Sequence, residues 1–468
     1  MGTFVVCKIT NKHRNEATNF KILLFFALLK KLKSMIWNES YECMGREEMR
    51  EVQNKRLRTT VEHVYHNSPF YRAKMQELGI TPMDIETIDD LVKLPFTIKT
   101  DLRDQYPFGL FSVPMSEIVR LHASSGTTGK PIVAGYTRKD LSTWSEVLAR
   151  TFTSGGCSRN DIFQIAYGYG LFTGGLGAHY GAENIGASVI PISAGNTEKQ
   201  IQLMTDFGST ALCCTPSYAL YLGEAVEDKG VKDKLKLKVG FFGAEPWTEA
   251  MRFEIEKKLN IKAYDIFGLT EVIGPGVSYE CNAQKGMHIN EDHFLPEIIN
   301  PVTLEPVAPG EVGELVLTTI TKEGMPVIRY RTKDLTRLMY EPCSCGRTSV
   351  RMHKIMGRSD DMLIIRGVNV FPTQIESVLM EFGETAPHYH LYVDRENNTD
   401  TFDVHVEVRP ENFTDDMSSM LNLRKRIEAR IQSVVGIHAH VKLVEPRSIE
   451  RSTGKAQRVT DKRNLYKE

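Results

Sequence analysis

Three groups of residues in this sequence have types and spacings that could do chemistry. The first is glycine-rich: Ser124-Ser125-Gly126-Thr127-Thr128-Gly129-Lys130-Pro131 sets glycines, hydroxyls and a lysine side by side, the groups that hold a polyphosphate. A Walker loop needs four residues between its glycines and Ser or Thr after the lysine. Here two residues separate Gly126 from Gly129, and Pro131 follows Lys130, which excludes that loop type. Strand-like runs flank the segment on both sides, so backbone amides, hydroxyls and Lys130 must hold the phosphates without a helix N-terminus.

The second group is sulfur-rich. Cys343-Ser344-Cys345-Gly346 reads as half of a zinc site, and Cys281 and His288 upstream would complete a Cys3His set, with His293 as the spare nitrogen. Cys213-Cys214 sit inside an apolar run and read as core thiols. The third group is scattered. Glu271 follows Gly268-Leu269-Thr270, Asp334 lies among Arg329, Arg331, Lys333 and Arg337, and Lys455 ends Ser452-Thr453-Gly454-Lys455. Taken alone, these read as a loop acid, a charge pair and a tail lysine. Tyr167, Tyr169 and Phe172, interleaved with Gly168, Gly170, Gly174 and Gly175, form an aromatic surface that would suit an aromatic ligand, or equally a core cluster.

The elements that must position these groups follow from composition and period. The chain has 468 residues, 58 Lys+Arg against 59 Asp+Glu, a formal charge of −1, 41% hydrophobic and 25% charged residues. So even a balance argues against electrostatic capture of nucleic acid or an anionic membrane, and the composition excludes a disordered or fibrous chain. Eight cysteines are sparse for a secreted scaffold and fit a reducing compartment, so a cytoplasmic protein is expected. The apolar run at 22–29 is too short to span a bilayer, and residues 1–34 read as a dispensable extension ahead of Met35. From about 118 to 239, β-branched runs alternate with helical stretches, which predicts a mostly parallel α/β sheet. Short strands around 308–320 then read as an antiparallel section. Beyond the polar stretch Gly357-Arg358-Ser359-Asp360-Asp361, the pattern changes to a small α+β unit containing two helices, a hairpin and a strand pair around Gly367. The expected fold is therefore a large α/β body with mixed sheets and a β-rich section, plus a small mobile C-terminal α+β lid.

The glycine-rich octapeptide resembles the phosphate loop of the adenylate-forming superfamily, which includes acyl-CoA synthetases, adenylation domains and luciferases. Tyr167–Phe172, Phe242-Gly243-Ala244-Glu245-Pro246, the run from Tyr264 to Glu271, Tyr330–Asp334, Gly357–Asp361 and Ser452–Lys455 match further motifs in the right order, covering about 120–458. The wording at Met35–Met44, HINEDHF, MPVIRYRTKDLTRL and CSCGRT is similar to the branch whose members join phenylacetate to coenzyme A.

That resemblance implies an ATP-dependent ligation through an acyl-AMP intermediate, with release of AMP and pyrophosphate. It implies residues 35–357 as the body, 358–468 as the lid and Asp360 as the hinge. Ser124, Ser125, Gly126, Thr127, Thr128, Gly129, Lys130, Ala244, Glu245, Pro246, Asp265, Ile266, Phe267, Gly268, Asp334 and Arg358 would bind the nucleotide. Asp334 would accept from the ribose hydroxyls, Glu271 would hold Mg²⁺, Thr270 would contact phosphate, and Lys455 would meet the α-phosphate and carboxylate. The acid would lie against Tyr167, Tyr169, Phe172 and Gly243, and Arg366 and Gly367 would meet coenzyme A. Another aryl acid such as indoleacetate or hydroxyphenylacetate, or a zinc-stabilised nucleotide-binding module without ligase chemistry, stays open, as does a homodimer.

Overall fold

Helix α1 (Arg46–Asn67) buries Leu57, Val61 and Val64, which fall on one face at helical spacing. Helix α2 (Pro69–Glu77) follows at once, with Pro69 in its first turn, where a missing N–H costs nothing. The hairpin β1 (Arg120–Ala123) and β2 (Val133–Tyr136) brackets the glycine-rich segment with antiparallel pairing. The computed structural model describes residues 35–124, 131–360, 362–396 and 399–463. The extension at 1–34 and the loop residues Ser125, Gly126, Thr127, Thr128, Gly129 and Lys130 lie outside the described residues.

Helix α3 (Arg138–Ser154) opens on a reciprocal cap: Thr137 Oγ1 accepts from the Asp140 amide at 3.1 Å, and Asp140 Oδ2 accepts from the Thr137 amide at 2.9 Å. The alternation then runs β3 (Ile162–Ile165), α4 (Thr173–Asn184), β4 (Ser188–Ile190), α5 (Thr197–Phe207), β5 (Ala211–Cys214), α6 (Pro216–Asp228), β6 (Val239–Gly243), α7 (Glu249–Leu259) and β7 (Lys262–Leu269). These five strands pair in parallel, in the order β4-β3-β5-β6-β7. β5 is buried along its whole length, and Cys213 and Cys214 are core thiols.

After β7 the sheet turns antiparallel. It adds β8 (Gly274–Glu280) and β9 (Met287–Ile289), and later the short β13 (Leu338–Met339) and β14 (Arg351–Met352), making nine strands. Between these, β10 (Phe294–Ile299), β11 (Gly313–Thr319), β12 (Tyr330–Thr336) and β15 (Gly357–Arg358) form a separate antiparallel sheet. The β-rich section expected around 308–320 is β11 of that sheet.

The chain leaves the body sheet at Arg358 and enters a second hydrophobic core at Leu363, with exposed Asp360 between. The lid holds the strand pair β16 (Leu363–Ile365) and β17 (Val368–Val370), helix α8 (Pro372–Leu379), the long hairpin β18 (Thr385–Glu396) and β19 (Thr399–Val408), helix α9 (Met417–Val435) and β20 (His440–Val444). α9 buries Leu423, Ile427, Ile431 and Val435, one per turn, each contributing roughly 1.5–3 kcal/mol. The basic tail after β20 returns as β21 (Val459–Asp461), parallel to β18, and completes the sheet β20-β19-β18-β21.

Candidate functional site

Lys455 stands where the lid's returning tail meets the body. Thr215 Oγ1 donates to the Gly454 carbonyl at 2.9 Å, and the Ala456 amide donates to Glu245 Oε2 at 2.8 Å. The residues on either side of the lysine are thus held by the body, one from the N-cap of α6 and one from the loop after β6. Its side chain is exposed where the two domains meet. Partial desolvation there lowers the lysine's pKa, opposed by Glu245, with Arg358 lowering it further and Glu271 and Asp334 raising it.

Asp334 and Arg358 pair side by side on β12 and β15. Arg358 donates to Asp334 Oδ1 at 3.3 Å and forks onto both Asp360 oxygens at 2.9 Å. Asp334 Oδ2 is buried and has no hydrogen-bond partner among the described residues. Burial pushes this carboxyl up to about 7, and Arg358 offsets it only partly. A buried carboxylate oxygen without a donor is costly, and a ligand hydroxyl would satisfy it.

Glu271 is buried behind them. Its Oε1 accepts from the Tyr330 hydroxyl at 3.2 Å and its backbone carbonyl from Lys322 Nζ at 3.1 Å. Lys322 is itself buried, lies 4.9 Å from the centre of the Tyr136 ring and is pushed down to about 8 by desolvation. The loop carrying it is fixed because Asp140 accepts from the Glu323 and Gly324 amides at 2.7 and 2.9 Å. Tyr136 stacks on Trp144 and donates to the Thr270 and Ile273 carbonyls. Thr270 Oγ1 lies 3.4 Å from Thr173 Oγ1. Lys322, Tyr136 and Trp144 support Thr270 and Glu271, yet nothing in their local sequence marks them out.

Ala244 and Pro246 are exposed beside Glu245, and Ala244 holds φ at 75°, a region that costs a side-chain-bearing residue about 1–3 kcal/mol. Glu245 Oε1 accepts from the Ser217 amide at 2.7 Å, so both its oxygens are engaged by backbone. Gly243, at the end of β6, has no room for a side chain: a Cβ there would meet the Ile266 carbonyl at 2.1 Å. Asp265, Ile266, Phe267 and Gly268 lie on β7 next to it, and Asp265 is pushed up to about 7 by burial, with Glu280 adding to the shift. Tyr167 is buried in the core, whereas Tyr169 and Phe172 pack on it only partly covered. The Tyr169 hydroxyl meets His179 Nδ1 at 3.2 Å. Arg366 and Gly367 form the exposed two-residue tip of the β16–β17 hairpin, both at positive φ as such a tight turn requires. A cleft of about 620 Å³ between Pro246, Arg358, Leu363, Ile364 and Arg458 does not include that tip among its lining residues.

Cys281, His288, Cys343 and Cys345 converge at the far end of the nine-stranded sheet, with ligand atoms within 4.8 Å of one another. Cys281 follows β8, His288 lies on β9, and pairing of Arg351 with His288 swings the loop between β13 and β14 over them. Cys281 Sγ is 3.7 Å from Cys343 Sγ, and Cys345 Sγ is 3.4 Å from His288 Nε2. Ser349 engages His288 Nδ1 at 2.9 Å, which aims Nε2 at the sulfurs. Hydrogen bonding from Cys281 lowers the thiols of Cys343 and Cys345. The cluster is compatible with a metal site. His293 does not join it: its Nδ1 meets Thr321 Oγ1 at 2.8 Å and its Nε2 meets Asp292 at 3.1 Å. Asp292 in turn forms a buried fork with Arg150 at 2.8 and 3.1 Å, a network that accounts for part of the HINEDHF run.

A two-domain body and lid, meeting at a buried carboxylate and a lysine held between them, are the architecture of an enzyme that activates a carboxylic acid with a nucleotide. The AMP-binding enzyme model matches residues 49–321, and the AMP-binding enzyme C-terminal domain model matches 367–463. The chain belongs to the AMP-binding enzyme family. It is 49% identical over 444 residues to a phenylacetate-coenzyme A ligase of Thermus thermophilus, covering 92% of this chain and all of the relative. It is 52% identical over 422 residues to a phenylacetate-coenzyme A ligase of Escherichia coli, covering 90% and 96%. Among solved structures, 2-hydroxyisobutyryl-CoA ligase in its postadenylation state, bound to an acyl-AMP, matches with a TM-score of 0.87 at 30% identity, covering 92% of this chain and 93% of that one. The same ligase in its thioesterification state, over the same coverage, scores 0.69. The body–lid arrangement seen here therefore resembles the former state.

No helix among the described residues is long and apolar enough to cross a membrane.

Proposed function

We propose that this protein joins phenylacetate to coenzyme A through a phenylacetyl-AMP intermediate. The observation that carries the reading is the meeting of lid and body: Lys455, with its neighbours held by Thr215 and Glu245, lies close enough to feel the charges of Glu271 and Asp334, and Asp334 keeps a buried, unpartnered oxygen. The names of relatives at 49% and 52% identity supply the acid.

In the first half-reaction a carboxylate oxygen of the acid attacks the α-phosphorus of ATP, and the bond to the β-phosphate oxygen breaks to release pyrophosphate. In the second, the thiolate of coenzyme A attacks the acyl carbon and AMP leaves. Asp334 would accept hydrogen bonds from the ribose hydroxyls. Ala244, Pro246 and the Asp265–Gly268 strand would enclose adenine, and the Ser124–Lys130 segment would hold phosphates. Lys455 would offset the charge developing between the attacking carboxylate and the α-phosphate, a term that is large when the charge is preorganised. Tyr167, Tyr169, Phe172 and Gly243 would form the wall against the aryl ring.

Magnesium binds one or two carboxylates together with phosphate oxygens, and Glu271, with one oxygen steadied by Tyr330, fits that donor set. When bound, the ion would screen the phosphate charge. Cys281, His288, Cys343 and Cys345 fit structural zinc by number, type and the Ser349-oriented histidine. Such a zinc would fasten β8 and β9 to the loop between β13 and β14.

The test is pyrophosphate exchange over a panel of aryl and alkyl acids, repeated with coenzyme A to follow thioester. Phenylacetate should exceed acetate by several orders in kcat/KM, because an empty aryl pocket forfeits roughly 25 cal/mol for every Å² left unburied. Comparable rates for the two acids would refute the aryl wall, and no exchange with any acid would refute the ligase.

A further inference from the structure

We propose that Glu245 is a positioning residue whose carboxylate docks the catalytic-lysine loop for adenylation only. Its Oε1 accepts from the Ser217 amide in the first turn of α6, and its Oε2 accepts from Ala456, the residue immediately after Lys455. One side chain therefore ties the body's helix N-terminus to the lid's moving loop. Thr215, the N-cap of that helix, holds the residue before the lysine through the Gly454 carbonyl. Arg458 lies just beyond, 3.4 Å from Ser217 Oγ, and pairs with Glu376 at 2.6 Å. Within the loop, Ser452 Oγ accepts from the Gly454 amide at 3.1 Å and donates to the Lys455 carbonyl at 3.0 Å, and at its far end the Arg458 carbonyl accepts from the Leu391 amide of the lid at 2.8 Å. Glu245 is thus the charged acceptor that the body offers to the backbone beside the lysine. Charge-assisted acceptors of this kind are stronger than neutral ones. Because the Ala456 amide belongs to the lid, the contact exists only while the lid is closed in this way.

The inference rests on the proposed role of Lys455, and its test separates the two. In Glu245→Gln the side chain keeps its shape and loses its charge. Hydrogen exchange of the peptide spanning 452–458 should quicken about 10- to 100-fold, the scale of losing a charged hydrogen bond. A peptide from α9 serves as the internal control and should not change. Pyrophosphate exchange should fall through kcat by at least about tenfold more than thioester formation from supplied phenylacetyl-AMP, a ratio that separates docking of the loop from any contact Glu245 makes with the nucleotide common to both steps. Thr215→Val, a second route to the same loop, should move the same readouts in the same direction by less. Unchanged exchange of 452–458, equal losses in both half-reactions, or a raised KM for ATP at constant kcat would overturn the proposal. Wild-type protein inactive on every acid would instead sink the ligase reading and leave the hydrogen-exchange test standing.

Discussion

Glu224 of the body and His388 of the lid meet across the domain seam, Oε1 to Nε2 at 2.5 Å, and Arg451 closes the other carboxylate oxygen at 3.1 Å. Burial would raise the Glu224 carboxyl, yet the hydrogen bonds and charges of His388 and Arg451 draw it down to about 2. A depressed carboxyl contributes stability that is present above its unfolded pKa near 4.5 and is lost as pH falls toward 2. Glu224→Gln should therefore lower unfolding free energy at neutral pH by about 1–3 kcal/mol. Urea denaturation at neutral pH measures this, and equal midpoints and slopes for variant and wild type would show that the seam pair contributes nothing.

Asp334 gives the opposite sign. Its carboxyl is raised to about 7 by burial, so below that pH the nucleotide-free protein holds a neutral acid that must release a proton to accept ribose hydroxyls as a carboxylate. ATP affinity should fall about tenfold for each pH unit below about 7 and level off above it. Calorimetric titration at a series of pH values checks this, and Asp334→Asn should bind weakly with no such slope. A flat wild-type profile would disprove the account.

Lys455→Ala should lose pyrophosphate exchange by a factor of about 10² or more, the scale of removing one preorganised charge. Supplied phenylacetyl-AMP and coenzyme A should still give thioester at near the normal rate. The two rates, measured separately on one preparation, decide the point: equal slowing of both would show that the lysine does not serve one step alone.

Purified protein should carry about one zinc per chain, and Cys343→Ser should lower both metal content and melting temperature, because a structural site contributes folding energy directly. Elemental analysis finding no zinc in protein made without chelator would remove the metal. The thermal shift should be visible in the absence of ATP or acid.

The sequence carried the strand–helix alternation, the antiparallel section, the lid's helices and hairpin, and a Cys3His set drawn from two regions about 60 residues apart. These were legible because each depends on local period or on residue types that seldom cluster without purpose. The return of the tail as β21 was not, since three residues beside a basic stretch show no period and gain their pairing only from β18. Lys322 was missed for a similar reason. Its burial beneath Glu271 follows from Asp140, 182 positions earlier, fixing the adjoining loop. His293 shows the limit of counting donors, because the buried Asp292 and Arg150 captured that imidazole before any metal cluster could. Glu245 looked like one residue of a nucleotide motif, and its reach to Ala456 depends on how two domains meet.

The short strand β21 begins four positions after Lys455 and is hydrogen-bonded into the lid's own sheet. The lysine is therefore carried on a rigid arm and has little freedom to leave the cleft while the lid stays put. Withdrawing it and turning the lid become a single event. An acyl-adenylate formed here would face a one-way choice: once the lid turns, the group that could help pyrophosphate reverse the reaction has gone with it. Lid rotation would then act as the point of commitment, and pyrophosphate added after it should compete poorly with coenzyme A.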